Sequence, residues 1–266
     1  MKKINYYEIA NRKLKYLAYS PNTIKVYLWY INEFLNNIEK EPSRLNSSDF
    51  KNYLESYKFK SVSQQNQVIN SIRFLYVSVL DKKYEKVKFD RPRKEKRLPK
   101  IIDKNLILSS LGKIENLKHK AILTIAYSVG LRVSEVIGLK IEDIDSGRMV
   151  IDIIQSKGNK DRSVPLSENV LSLLRLYFKK FRPKTYLFNG QTGLRYSATS
   201  CNKLVKKYVG KEYHFHLLRH SCFTNLTEQG VDLRVIQKLA GHSSSKTTEI
   251  YTQVSNHILG KIPLAI

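Results

Sequence analysis

Four clusters in the second half of the chain combine residue types that hold anions or move protons. In Gly130-Leu131-Arg132-Val133-Ser134-Glu135 an arginine stands just past a glycine suited to ending a helix. That poises it at the start of the next helix, where free N–H groups and the helix dipole attract anions. Glu135, one turn on, shares its face and is placed to orient the guanidinium, although the same spacing alone also describes an ordinary surface ion pair. Lys157 sits in Ser156-Lys157-Gly158-Asn159-Lys160; taken alone, a loop lysine is simply solvated. In His216-Leu217-Leu218-Arg219-His220 an imidazole and a guanidinium three residues apart share one helix face, while the two leucines turn inward. Such a pair can donate several hydrogen bonds to one phosphate. His220 lies off that face and reads as structural. In Gly241-His242-Ser243-Ser244-Ser245-Lys246-Thr247-Thr248-Glu249-Ile250-Tyr251, His242 follows a second helix-ending glycine, and Tyr251 ends a short polar segment. A single tyrosine among 17 would ordinarily be a packing residue.

The elements that must position these residues are legible in part. All 11 glycines lie at or after Gly112, so the first hundred residues suit helices joined by polar turns. Ser20-Pro21 reads as a helix start, followed on one face by Ile24, Tyr27, Leu28, Ile31, Phe34, Leu35 and Ile38. A second helix is expected after Ser47-Ser48-Asp49 with Phe50, Tyr53, Leu54 and Tyr57 inward. A third follows Ser61 and carries Val68, Ile69, Ile72, Leu75, Tyr76 and Val79. Residues 117–129 predict a helix ending at Gly130. Met149–Ile154 and Ser163–Leu166 predict two strands joined by a hairpin with a basic tip, Gln155 to Arg162. Helices are expected at about 168–181, 197–209, 216–229 and 232–240, with a short strand at Tyr186–Phe188. The domains expected are a helical domain over 1–90, a basic linker over 91–100 and a mixed domain over 101–266 ending in an apolar tail.

The charge is far from ordinary. There are 47 Lys and Arg against 23 Asp and Glu, a net +24. The first hundred residues carry 22 basic and 10 acidic side chains and the rest carry 25 and 13, so the excess is shared rather than confined to a tail. Hydrophobic residues at 42% and charged residues at 26% fit a folded chain, not a disordered one. The chain is therefore expected to meet a polyanion with both halves. The most basic stretch, 82–100, holds ten basic and three acidic residues with Pro92 and Pro99. It reads as an extended strap along phosphates, or as a solvated charge run. Cys201 and Cys222 lack metal-site or redox spacing and read as plain buried thiols in a reducing compartment. No apolar run approaches the roughly 18 residues of a membrane span, and the N-terminus lacks the apolar region of a signal peptide.

In their order, Gly-Leu-Arg-x-Ser-Glu, the Ser-Lys-Gly-Asn-Lys hairpin, His-x-Leu-Arg-His and Gly-His-x8-Tyr resemble the tyrosine recombinases, the phage integrase family, over most of 100–255. Ser20-Pro21-Asn22-Thr23 with Tyr27 is similar to the start of that family's core-binding domain. The Tyr251-Thr252-Gln253-Val254 ending resembles the Xer and simple-integrase group. The resemblance implies a mainly α fold with a small β-sheet: a helical core-binding domain and a mixed α/β catalytic domain. It implies that Arg132 and Arg219 clamp a scissile phosphate and that Tyr251 is the nucleophile. Lys157 then protonates the leaving 5′-oxygen, with Lys160 three residues away as the alternative. His216 and His242 assist proton transfer and phosphate binding, and Glu135 supports the site.

The physical chemistry agrees. Attack on a phosphodiester builds charge that preorganised arginines stabilise. A phenol with a reference pKa near 10 needs a base or nearby cations to attack, and a covalent 3′-phosphotyrosine conserves the bond energy without ATP. No clustered Asp/Glu set of the two-metal kind is visible in the sequence, so chemistry without metal or cofactor is expected. The resemblance further implies double-stranded DNA with a specific recombination site as partner, a homotetramer on two such sites, and accessory or directionality proteins. It implies a cytoplasmic, nucleoid-associated protein acting in integration, excision or dimer resolution, with no membrane contact. Two rivals share the scaffold: a monomeric type IB topoisomerase and a non-catalytic DNA-binding protein. The apolar tail, with Ile258, Leu259, Ile262, Leu264 and Ile266, is expected to dock on a neighbouring protomer or on its own domain.

Overall fold

A computed structural model of the chain describes residues 5–82, 91–92, 100–154, 161–191, 193–242 and 244–254, with backbone alone at 246, 253 and 254. It divides into two compact units, residues 1–96 and 97–266.

The first unit is helical: α1 (Tyr6–Tyr16), α2 (Pro21–Asn36), α3 (Ser47–Ser56) and α4 (Val62–Phe74). Each start is written in a short polar side chain. Asn5, Ser20, Asn46 and Ser61 each accept a backbone N–H of the first turn, which would otherwise lack a partner. The core gathers Leu14, Ile31, Phe34, Phe50, Val68 and Ile72, with Phe34 stacked on Phe50. The third expected helix does not run on to Val79 as an α-helix. α4 ends at Phe74 and a π turn follows over Leu75–Val79, with the Leu80 N–H bonded to the Leu75 carbonyl. The wider turn lets three consecutive residues, Phe74, Leu75 and Tyr76, all bury. Of the basic stretch 82–100, Arg91 donates to the side-chain oxygens of Asn66 and Asn70 on α4. Residues 83–90 and 93–99 lie outside the described residues, as do the tail residues 255–266.

The second unit opens with α5 (Lys104–Gly112), α6 (Leu117–Ser128) and the short α7 (Val133–Gly138). A three-stranded antiparallel sheet follows: β1 (Ile144–Asp145), β2 (Val150–Ile153) and β3 (Arg162–Pro165), in that order. Ile151 pairs with Val164 and Ile153 with Arg162. Period-2 alternation buries Ile151, Ile153 and Val164 on one face. Four more helices follow: α8 (Glu168–Phe181), α9 (Ala198–Tyr208), α10 (Phe215–Glu228) and α11 (Leu233–Ala240). A 3₁₀ turn at Ser245–Thr247 leads into α12 (Ile250–Val254).

The expected strand at Tyr186–Phe188 is not formed. Tyr186 makes an isolated bridge with Lys140, and the Leu187 N–H bonds to the Leu139 carbonyl. Leu187 and Phe188 are apolar because they fill the core, not because they line a ladder. The same core holds Cys201 and Cys222, and burial pushes both thiols up to about 12. No described helix is long and apolar enough to cross a membrane.

Candidate active site

Three chain reversals build the site. α6 ends through Val129 into Gly130, whose φ of +64° is open to glycine without strain. α11 ends at Gly241, again left-handed at φ +60°. The third is the 3₁₀ turn that delivers Tyr251. Between them α10 lies with Arg219 on its buried side.

Arg219 is 1% exposed, the largest fully buried side chain described. Burial lowers its guanidinium to about 10, which still leaves it charged at neutral pH. It is held by main chain: Nη1 donates to the Gly130 carbonyl at 2.6 Å and Nη2 to the Ala240 carbonyl at 2.6 Å. These carbonyls end α6 and α11, where the helix dipole favours a cation. Its guanidinium also stands 4.8 Å from the Phe223 ring centre.

Arg132 caps the start of α7. Its backbone N–H and its Nη1 donate to Oε2 and Oε1 of Glu135, at 2.8 and 2.7 Å. Its Nη2 points at the Gly241 carbonyl over a long 3.4 Å. Glu135 is buried. Desolvation pushes its carboxyl up, but the hydrogen bonds and charges of Arg162 and Arg132 outweigh it and hold the group below the ordinary glutamate range.

His242 has a defined tautomer. Its Nε2 lies 3.0 Å from Arg219 Nη2, and an arginine can only donate. Nε2 therefore accepts, and Nδ1 carries the proton and donates to Thr248 Oγ1 at 2.9 Å. Burial, then Arg219 and Arg132, push its pKa down to about 4, so it is neutral at physiological pH. His216 reaches the surface at the rim of the site. Desolvation of the ring, followed by His220 and Arg219, nevertheless lowers its pKa.

Tyr251 is 2% exposed. Its ring is enclosed by Phe223 at 5.4 Å, His220 at 5.8 Å and His242 at 6.2 Å between centroids. Burial holds its phenol pKa above the ordinary value, although the charges of Arg219 and Arg132 and a hydrogen bond from Arg219 pull it part of the way down. The phenol is thus buried against the cations able to stabilise its anion.

The structure brings together Arg132, Glu135, Arg219, His242 and Tyr251, with His216 at the rim. Lys157, and Lys160 with it, lie outside the described residues. His220, read as a packing residue, does pack, but against His216 at 4.6 Å and against Tyr251, with its Nδ1 buried and unpartnered. Sequence reasoning missed Thr248, fully buried behind His242, and Phe223, which underlies both Arg219 and Tyr251. It placed Arg162 only as one charge of the hairpin tip. Among the described residues no three His, Cys, Asp or Glu side chains are grouped to hold a metal ion.

Gly130 provides a direct stability test of this framework. A Cβ there would stand 2.6 Å from the Phe223 ring, on a backbone that side chains rarely adopt. Gly130→Ala is expected to lower unfolding free energy by about 2–5 kcal/mol, the sum of left-handed strain and overpacking. Thermal denaturation reads this directly; a parental Tm would show that the turn relaxes freely.

The Phage integrase family profile matches residues 95–257, and that of the phage integrase N-terminal SAM-like domain matches 7–86. Tyrosine recombinase XerA of Pyrococcus horikoshii is 35% identical over 244 residues, covering 89% of this chain and 84% of that protein. A tyrosine recombinase of Thermosipho africanus is 30% identical over 264 residues, covering 91% and 93%. In fold, the chain is similar to a crystal structure of the XerH site-specific recombinase bound to palindromic difH substrate in a post-cleavage complex. The TM-score is 0.70 at 22% identity, over 89% of this chain and 77% of that one.

Proposed function

The chain belongs to the phage integrase family, as a tyrosine recombinase of the Xer and simple-integrase group, and from that premise we propose that it cuts and rejoins duplex DNA at a specific site through Tyr251. One observation carries the assignment of residues: a buried phenol and two guanidiniums from separate helices converge where α6 and α11 end.

In this reading the phenol oxygen attacks the scissile phosphorus, a 3′-phosphotyrosine bond forms and the bond to the 5′-oxygen breaks. Arg132 and Arg219 face the charge that develops on the nonbridging oxygens. Neutral His216 and His242 assist proton transfer and phosphate binding, His242 once its Nε2 is released from Arg219. Lys157 supplies a proton to the departing 5′-oxygen. Attack by a free 5′-hydroxyl on the phosphotyrosine then rejoins the strand, to its own partner or to one from a second site. Four copies on two sites would exchange both pairs of strands, with directionality set by accessory proteins. The net charge of +24 supports a DNA partner.

The test uses a duplex selected from a random pool by the protein's own binding, nicked near the point of cleavage so that rejoining is blocked. A covalent protein–DNA band in a denaturing gel is expected, as is strand exchange between two intact sites. Absence of any adduct would sink the reading; an adduct with relaxation but no exchange would make the protein a topoisomerase.

The leaving-group assignment has its own experiment. Lys157→Ala is expected to cleave about 10²–10⁴-fold more slowly on ordinary DNA, the usual worth of a general acid. It should recover on DNA with a 5′-bridging sulfur, because a thiolate departs without a proton. Recovery in Lys160→Ala and not in Lys157→Ala would move the role three residues along.

A further inference from the structure

Arg162 has no part in the function proposed above, yet it is not a solvated tip residue. Its side chain is 8% exposed. At the first position of β3, its Nη1 and Nη2 donate to Oε1 and Oε2 of Glu135, each at 2.9 Å. Its Nε donates to the Leu239 carbonyl, in the last turn of α11, at 2.8 Å. Its stem lies under Gly241, where an added Cβ would come within 3.2 Å of its Cδ.

The carboxylate of Glu135 therefore serves two arginines. Arg162 takes it with both prongs of its fork, one on each oxygen. Arg132 reaches the same carboxylate with one side-chain nitrogen, at Oε1, and its backbone N–H takes Oε2. A carboxylate accepts about four hydrogen bonds, and these are four.

We propose that Arg162 is a positioning residue for phosphoryl transfer: by occupying both oxygens of Glu135 it restricts Arg132 to a single side-chain contact there, and so leaves Nε and the weakly held Nη2, 3.4 Å from the Gly241 carbonyl, for the phosphate. Without Arg162, the natural partner for the vacated carboxylate edge is the second prong of Arg132, since arginine–carboxylate pairs favour the two-pronged geometry. That would draw Arg132 away from the substrate. The bond to Leu239 adds a second constraint, tying the start of β3 to the helix end that precedes His242. The inference rests on the proposed strand-cleavage activity.

The test replaces Arg162 with lysine, which keeps the charge but lacks the fork, and uses the full chain on the selected nicked duplex. Cleavage is expected to slow about tenfold to a hundredfold, the scale of an ångström-level misplacement. The decisive comparison is a duplex whose scissile phosphate carries a methyl group in place of one nonbridging oxygen. That linkage is uncharged, so it depends less on Arg132, and Arg132→Ala supplies the reference for how much less. If Arg162 acts through Arg132, Arg162→Lys should lose much less activity on the methylated linkage than on the normal one, in parallel with Arg132→Ala. An equal defect on both substrates would overturn the proposal, since a general loosening of the fold does not sense phosphate charge. Parental cleavage by Arg162→Lys would overturn it too. Failure of the unsubstituted chain to cleave either duplex would instead remove the underlying activity.

Discussion

Tyr251→Phe is expected to abolish the covalent protein–DNA adduct while leaving DNA binding in place. Only the hydroxyl is removed, and the ring keeps its contacts with Phe223, His220 and His242. Losing one hydrogen bond to Arg219 should change stability by about 1 kcal/mol. The chemical effect is of another order. Removing a catalytic nucleophile costs on the order of 10⁶ in rate where the other groups remain. A denaturing gel for the adduct, beside a binding assay at fixed salt, separates the two effects. An adduct that persisted in Tyr251→Phe would place the nucleophile elsewhere. Loss of binding together with the adduct would make the phenol a structural group.

The second largest effect is expected at Arg219. Losing a transition-state donor in a preorganised site costs about 10²–10³ in rate. Alanine here does more than remove that donor. It leaves the Gly130 and Ala240 carbonyls without their guanidinium partner, and each such buried loss costs about 1–3 kcal/mol. Arg219→Lys is the cleaner variant. One ammonium cannot reach both carbonyls and still present a flat face to a phosphate. Arg219→Lys should therefore fold and bind DNA yet cleave at least about a hundredfold more slowly, by the same donor arithmetic. Single-turnover cleavage on the nicked duplex measures this, with Tm as the control for folding. Cleavage by Arg219→Lys at the parental rate would take Arg219 out of the chemistry.

Much of this site is legible in the sequence because its parts are local. Gly130 and Gly241 mark helix ends, and Arg132 and His242 stand one or two residues beyond a marked end. Arg132 and Glu135 meet because one helical turn brings them together, and so do His216 and His220. What stays hidden depends on contacts between distant segments. Arg162 pairs with a residue 27 positions away and with a carbonyl 77 positions away, and nothing near Arg162 signals either. The His242 tautomer follows from Arg219, 23 positions off, acting on the other ring nitrogen. The apolar run at 186–188 looked like a strand because periodicity alone does not separate a ladder from a buried connection. The π turn after Phe74 is equally silent, since the apolar pattern carries on through it.

At the end of α11, three successive carbonyls take three different arginines: Leu239 takes Arg162, Ala240 takes Arg219 and Gly241 takes Arg132. Apart from Gly241, whose left-handed backbone favours glycine, the side chains on the exposed face of the helix have little bearing on where those oxygens point. Exposed positions of the helix, such as Val235, can therefore be exchanged while the three acceptors keep their directions. A single inserted or deleted residue just before Leu239 is another matter. It would turn the helix end by roughly 100° and misdirect all three arginines in one step. The exposed face of α11 is thereby tolerant of substitution while the helix end is brittle toward changes of length, and the aim of its three carbonyls is stored in the spacing of the chain.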